Sequence, residues 1–528
     1  MAVGADVKSK GKKPVKIVIE PPGSPWPRTL WHKCGPVYVR GYAHHVDGSV
    51  SEGRSLASHF NVETPTAFRE QLEQANGLFA VVVITPRKIF AAVDRVRTIP
   101  LFYGFTPSGN FIISDSAEIV RKEVEDRTID PLARAEFLHA GFVLGSRTLM
   151  PNVRQLQAGE LLSYDRTTGK LHKERYYLFR PSGGLDTNKF NLFHKLDRIY
   201  EDTFSRLISW LDGRQAVIPL SGGYDSRLIA LMLKELGYNN VLCFTYNTGG
   251  AKWEVDISRR VAKNLGFCWH YVHSNPCLSY WWYRSDALRC YQIAASNWAS
   301  LPHLQDWFAI QQLKKKGIIT NSSVIVPGIV AGSVVGAFST SPEEANKPST
   351  DLIISHLIGK WFSLQPYALT NEDLAQVYQD IMFALTELNN DKVMDIRILE
   401  AWEWQEREAK FIANSVRVYD WHGLDWYIPF CDQAVIDLWQ SIAPEHRFQK
   451  SLHKHYVQSR SVNLPQPNPP MSRHKLIYNS LRRFIFKLFR YNVILGQSGI
   501  NFRSLIYSVN GNGIAAVSAL HRLEETLR

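Results

Sequence analysis

The sequence predicts a two-domain α/β protein: an N-terminal α+β domain on a mostly antiparallel sheet, then a parallel-sheet domain wrapped by helices and continued by a helical extension. Three observations predict it. Short β-type runs separated by turn clusters fill residues 37 to about 177. From about residue 189 strand and helix patterns alternate at the spacing of a parallel sheet with crossover helices. Between them, Pro181, Gly183 and Gly184 break both periods and read as a linker.

Residues 1–25 hold Lys8, Lys10, Lys12, Lys13 and Lys16 among glycine and proline without an apolar period. They read as a disordered basic arm, with order beginning near Val37. The first domain, 26–180, is expected to build its sheet from 37–39, 78–84, 89–93, 101–103, 111–113 and 161–164, with the 106–110 cluster as a turn.

The second domain, 189–460, opens with an expected helix over 192–211 and a strand over 216–220. A glycine-rich loop follows, then a helix over 227–236 closed by Gly237 and a strand over 241–246. A helix over 254–265, with Ile257, Val261 and Leu265 on one face, leads to a strand over 267–272. The remainder to Glu445 reads as largely helical. Residues 461–528 form a basic helical extension. Its 475–491 stretch, with Leu481, Phe484 and Leu488 beside Arg482, Arg483 and Lys487, suits either docking on its own domain or lying on a membrane surface.

A chain of 528 residues with 45% hydrophobic content can fold around two or three cores. Much of the net charge of +12 lies at the two ends, which fits solvated tails as well as anionic partners. The six cysteines include no C-x-x-C pair, so neither a structural zinc site nor a disulfide framework is signalled. The N-terminus lacks the apolar core of a signal peptide, and the apolar stretch 324–338 is short and broken by glycines. The expected location is the cytoplasm, with the 475–491 helix as the one device for the inner face of the membrane.

The chemistry concentrates in the loop Ser221-Gly222-Gly223-Tyr224-Asp225-Ser226, where a buried strand passes through small residues straight into a helix. Glycines let the backbone approach phosphate oxygens, and the N–H groups and dipole of the helix start favour an anion. Ser221 and Ser226 add hydroxyl donors, and Asp225 is placed to hold a Mg2+ that bridges phosphates. The loop lacks the lysine and the wider glycine spacing of G-x-x-x-x-G-K-[ST], so it reads as a pyrophosphate loop. Leu220 leads into it. Phe244, near the end of the next strand, should flank the adenine or else belong to the sheet core.

At this point the chain resembles the asparagine synthetase family. Gly77-Leu78-Phe79-Ala80, then Asp94-Arg95-Val96-Arg97-Thr98-Ile99-Pro100-Leu101-Phe102-Tyr103, is similar to that family's glutaminase-type domain. Ala158-Gly159-Glu160 and Tyr176-Tyr177 resemble its end. In the second half Glu254-Val255-Asp256, Arg417, the run from Trp426 to Asp432, and 454–460 resemble synthetase stretches. The resemblance implies an N-terminal glutaminase-like (Ntn-type) domain and a PP-loop synthetase domain using ATP and Mg2+. It implies ATP-dependent amide formation through an acyl-adenylate. Leu220, Ser221, Gly222, Gly223, Asp225, Ser226, Phe244 and Gly328 would hold ATP and pyrophosphate. Asp225 would bind Mg2+, and Lys454, with Lys450 nearby, would stabilise transition-state charge.

Two departures stand beside these matches. The family's glutaminase uses a cysteine exposed after Met removal, and this chain has Ala2 there; Cys34-Gly35 lies 33 residues in and reads as an ordinary thiol. The region that would bind glutamine is also short. Glutaminase activity is therefore expected to be absent, with free ammonia or a substrate amine as donor. In the second half, Gly332 and Ser333 stand where the family carries an acidic G-x-G-x-D-E loop, so a second Mg2+ ligand is missing, with Glu254 and Asp256 as replacements.

The expected function is an amide-forming ligase acting on a small-molecule or sugar-linked carboxylate. The alternative is a non-catalytic nucleotide-binding scaffold or regulator. A third class, adenylation of tRNA for thiolation, is disfavoured by the absent cysteine pair, and no nucleic-acid partner is expected.

Overall fold

Residues 76–84 are apolar at nearly every position, the pattern of a strand covered on both faces. In the computed structural model they form the strand Asn76–Ile84. Leu78, Ala80 and Val82 face one cluster, while Phe79, Val81 and Val83 face another that includes Leu56, Phe60, Phe68 and Leu72 from the helices beneath. The structure describes residues 3–6, 14–19, 26, 31–45, 47–184, 188–246, 252–273, 285–339, 349–365, 369–389, 397–467 and 512–527.

Around this strand lies an antiparallel sheet in the order Leu171–Arg175, Glu160–Asp165, Lys88–Val93, Asn76–Ile84, Val37–His44, His32–Cys34, with Val50–Glu52 also on Val37–His44. A second sheet runs Val3–Asp6, Val15–Ile19, Phe111–Ser114, Phe102–Phe105, Arg154–Gln155. Its Val15–Ile19 and Phe111–Ser114 strands are parallel and its other pairings antiparallel.

This second sheet corrects the expectation of a disordered arm over 1–25. Val15, Ile17 and Ile19 alternate with polar or half-buried neighbours and are 1%, 0% and 4% exposed. The period-2 pattern was present, but the surrounding lysines masked it.

The second domain follows its expected order closely. The helix Lys189–Leu211 leads to the strand Ala216–Pro219, the helix Asp225–Glu235, the strand Val241–Tyr246, the helix Lys252–Leu265 and the strand Cys268–Val272. The parallel sheet is ordered Cys268–Val272, Val241–Tyr246, Ala216–Pro219, Val324–Ile325, Asp425–Trp426. Successive strands step one way from Ala216–Pro219, and the later ones are laid down on its other side. That strand is the topological switch point, beyond whose carboxyl end open α/β sheets place their ligands.

The domains share one core. Tyr42 stacks on Tyr427 with centroids 5.0 Å apart, and Asn76 Oδ1 accepts the Gln433 N–H at 2.8 Å. Arg40 and Arg417 both pair with Asp420 at 2.7 Å in a buried cluster. The helix Asn512–Glu525 returns to pack Leu520 and Leu523 into a cluster with Phe137 and Trp298. The 475–491 stretch read as an amphipathic helix lies outside the described residues. Among the described residues no helix is long and apolar enough to cross a membrane.

Candidate nucleotide site

Ala216, Val217 and Ile218 are fully buried, as a central parallel strand requires. The chain leaves that strand at Leu220, whose N–H donates to Phe244 O at 2.9 Å and whose carbonyl accepts Thr245 Oγ1 at 2.6 Å. These bonds anchor the loop root. The two serines then shape the loop from within: Ser221 N donates to Ser226 Oγ at 3.1 Å, and Gly223 N to Ser221 Oγ at 3.1 Å.

Two glycines matter because neighbours approach closely. A Cβ on Gly222 would lie 3.0 Å from the Trp253 ring and 3.2 Å from Glu254 Cα. A Cβ on Gly328, just past the strand Val324–Ile325, would lie 3.0 Å from Ser226 N. Gly328 thus comes to the loop through the sheet order. Phe244 is 0% exposed, so its side chain belongs to the sheet core and the expected contact with adenine is corrected.

Asp225 starts the helix, and both its oxygens are engaged. Lys450 Nζ donates to Oδ2 at 2.9 Å and His453 Nε2 meets Oδ1 at 2.9 Å. Burial alone would raise the Asp225 carboxyl, but the His453 hydrogen bond and the Lys450 charge outweigh it and hold the group well below the usual range. Gln449 (φ 51) and Lys450 (φ 61) are both left-handed, a strained pair that turns Lys450 toward Asp225 before the helix Ser451–Arg460 begins.

Lys450, named beside Lys454 in the sequence, is the lysine that contacts Asp225. Lys454 sits partly buried within electrostatic reach: burial lowers its pKa, Lys450 lowers it further, and Asp225 opposes. His453 was missed by the sequence reading, because a histidine in a basic stretch carries no signal until the fold turns it inward.

The loop that lacks its acids lies alongside. A Cβ on Gly332 would be 3.6 Å from Lys450 Nζ, and Ser333 Oγ donates to Glu408 Oε2 at 2.5 Å. Glu408 is a buried carboxylate from the helix Trp404–Ile412, raised by burial and lowered in part by Arg407, Ser333 and Lys450. Of the two replacement acids, Glu254 adjoins Gly222, while Asp256 pairs with Arg259 and Arg260 at the surface. These residues do not converge on a metal. Asp225 is an ion-pair partner here, and among the described residues no group of three or more His, Cys, Asp or Glu could hold one.

Cys34 ends the strand His32–Cys34, half buried against the Val37–Val83 side of the first sheet.

Comparison with known proteins bears on the first half. Residues 66–177 match the glutamine amidotransferase domain family. A comparison with curated proteins finds no match. Among solved structures, the chain is similar to an allosteric regulatory enzyme of purine biosynthesis at 13% identity over 47% of this chain and 63% of that one, TM-score 0.20. It is similar to an NH3-dependent NAD synthetase from Campylobacter jejuni at 13% over 40% of this chain and all of that one, TM-score 0.20. For a glutamine phosphoribosylpyrophosphate amidotransferase from B. subtilis the figures are 11%, 57%, 64% and 0.20. The chain thus spans less than two thirds of the first and third. The chain joins a segment matching the glutamine amidotransferase domain family to a parallel-sheet domain carrying a Ser-Gly-Gly-x-Asp-Ser loop.

Proposed function

We propose that the chain is an ATP-dependent amide-forming ligase of the cytoplasm. The observation that carries this reading is the 221–226 loop at the switch point of a parallel sheet, with Asp225 clamped by Lys450 and His453. In the proposed reaction a carboxylate oxygen of a small-molecule or sugar-linked substrate attacks the α-phosphorus of ATP. The bond to the β-phosphate breaks and pyrophosphate leaves. An amine then attacks the acyl carbon, AMP departs with the electron pair of the broken acyl–oxygen bond, and the amine nitrogen releases a proton to solvent as the amide forms.

Loop N–H groups and the Ser221 and Ser226 hydroxyls would hold the departing pyrophosphate. Lys450, with Lys454 behind it, would balance charge that grows on the phosphates. Mg2+ carried by those phosphates would need an oxygen of Asp225 that Lys450 or His453 now occupies. The amine is ammonia or belongs to the substrate, and aspartate amidation is one branch of this chemistry.

Trapping with hydroxylamine tests the reading. ATP, a panel of carboxylates and hydroxylamine should yield a hydroxamate and equimolar AMP for at least one carboxylate. ATP binding without AMP or hydroxamate from any of them would favour the non-catalytic scaffold instead.

A further inference from the structure

Arg227 is the costliest side chain beside the loop. It is 0% exposed, and Nε, Nη1 and Nη2 are each buried without a hydrogen-bond partner. Asp225, two residues earlier, is already occupied by Lys450 and His453. The group facing Arg227 is the Tyr224 ring, whose centroid lies 5.8 Å from the guanidinium carbon. Burial lowers its pKa to about 10, with Tyr224 opposing.

Position adds to the cost. Arg227 is the third residue of the helix Asp225–Glu235, where a positive charge opposes the helix dipole. Helical side chains lean toward the helix N-terminus, in agreement with the contact of this guanidinium with Tyr224, the residue that precedes the helix. A buried, unpaired cation is strongly destabilising unless something anionic completes it. Such a residue weakens the empty fold and strengthens a liganded one.

We propose that Arg227 is an anion-receiving residue of this site, whose planar guanidinium completes its hydrogen bonds on paired oxygens of the ligand. Two ligand groups share that chemistry: the phosphoryl oxygens of ATP or pyrophosphate, and the carboxylate of the acyl substrate. The proposal rests on reading 221–226 as a phosphate loop.

The test uses full-length wild type, Arg227→Met and Arg227→Lys. Thermal unfolding is measured without ligand, and affinity is measured by calorimetric titration with pyrophosphate, with ATP, and with carboxylates including aspartate in the presence of ATP. Arg227→Met should raise the unfolding midpoint of the empty protein and weaken oxyanion binding at least tenfold, with Arg227→Lys in between. Loss confined to pyrophosphate and ATP assigns the phosphoryl group; loss confined to the carboxylates assigns the acyl substrate. Unchanged affinity for all ligands in Arg227→Met, or a lower midpoint without ligand, overturns the proposal and leaves Arg227 a packing residue. When wild type binds ATP and the variants match it for every ligand, only the Arg227 assignment fails. A wild type that binds neither ATP nor pyrophosphate removes the loop reading as well.

Discussion

Lys450 and Lys454 are four residues apart in the sequence, and only the fold separates their roles. The sequence placed a lysine near the loop; the left-handed pair Gln449 and Lys450 decides that it is Lys450 whose ammonium reaches Asp225. Dihedrals of that kind leave no compositional mark, which is why Lys454 looked equivalent. Removing a donor to a charged, partly buried carboxylate costs about 1.5–3 kcal/mol. Lys450→Met is therefore expected to weaken nucleotide binding roughly ten- to a hundredfold, and Lys454→Met by less. Fluorescent-nucleotide titration of both variants checks the ranking, and a larger loss in Lys454→Met would reverse the assignment. Asp225, Ser221 and Ser226 were legible because the loop motif is written in consecutive residues. His453, Glu408 and Arg227 were not, since each depends on what the fold packs around it.

At the scale of elements, the parallel strands and crossover helices were legible because apolar period and turn residues change together at each boundary. The Val15–Ile19 strand was lost for the opposite reason: a five-residue alternation between lysines has little weight until its partner Phe111–Ser114 is known. The join between Val324–Ile325 and the loop is the element-scale contact on which the site depends. Gly328→Ala puts a methyl 3.0 Å from Ser226 N, where backbone must yield. Overpacking of this kind costs about 1–3 kcal/mol. The expected result is a folded protein with pyrophosphate affinity lowered about tenfold. Equal affinity in the variant and wild type would show that the loop does not need this packing.

Over the whole molecule, buried ionisable groups set the response to pH. Burial holds His44, His139 and His422 near 4. Below pH 6.5 the unfolded chain takes up protons that these folded histidines refuse, so stability is lost as pH falls toward 4, by on the order of 3 kcal/mol for each. Burial also pushes Glu136 and Glu403 up to about 7 and Asp94 up to about 6. These acids take protons first in the folded state, so they add stability as pH falls from 7 toward 4.5. The two sets oppose each other, and the acid limb should be shallow. The double variant Glu136→Gln, Glu403→Gln should lose stability more steeply than wild type between pH 7 and 4.5 in urea unfolding; parallel slopes would contradict these positions. The central claim concerns chemistry at the loop, and ATP–pyrophosphate exchange tests it most directly, run with wild type and Asp225→Ala across carboxylates that include aspartate. The account predicts exchange that depends on one carboxylate and falls by about two to three orders of magnitude in Asp225→Ala, the scale of losing a transition-state contact. Exchange at equal rates in both proteins, or none from wild type with any carboxylate, would contradict it.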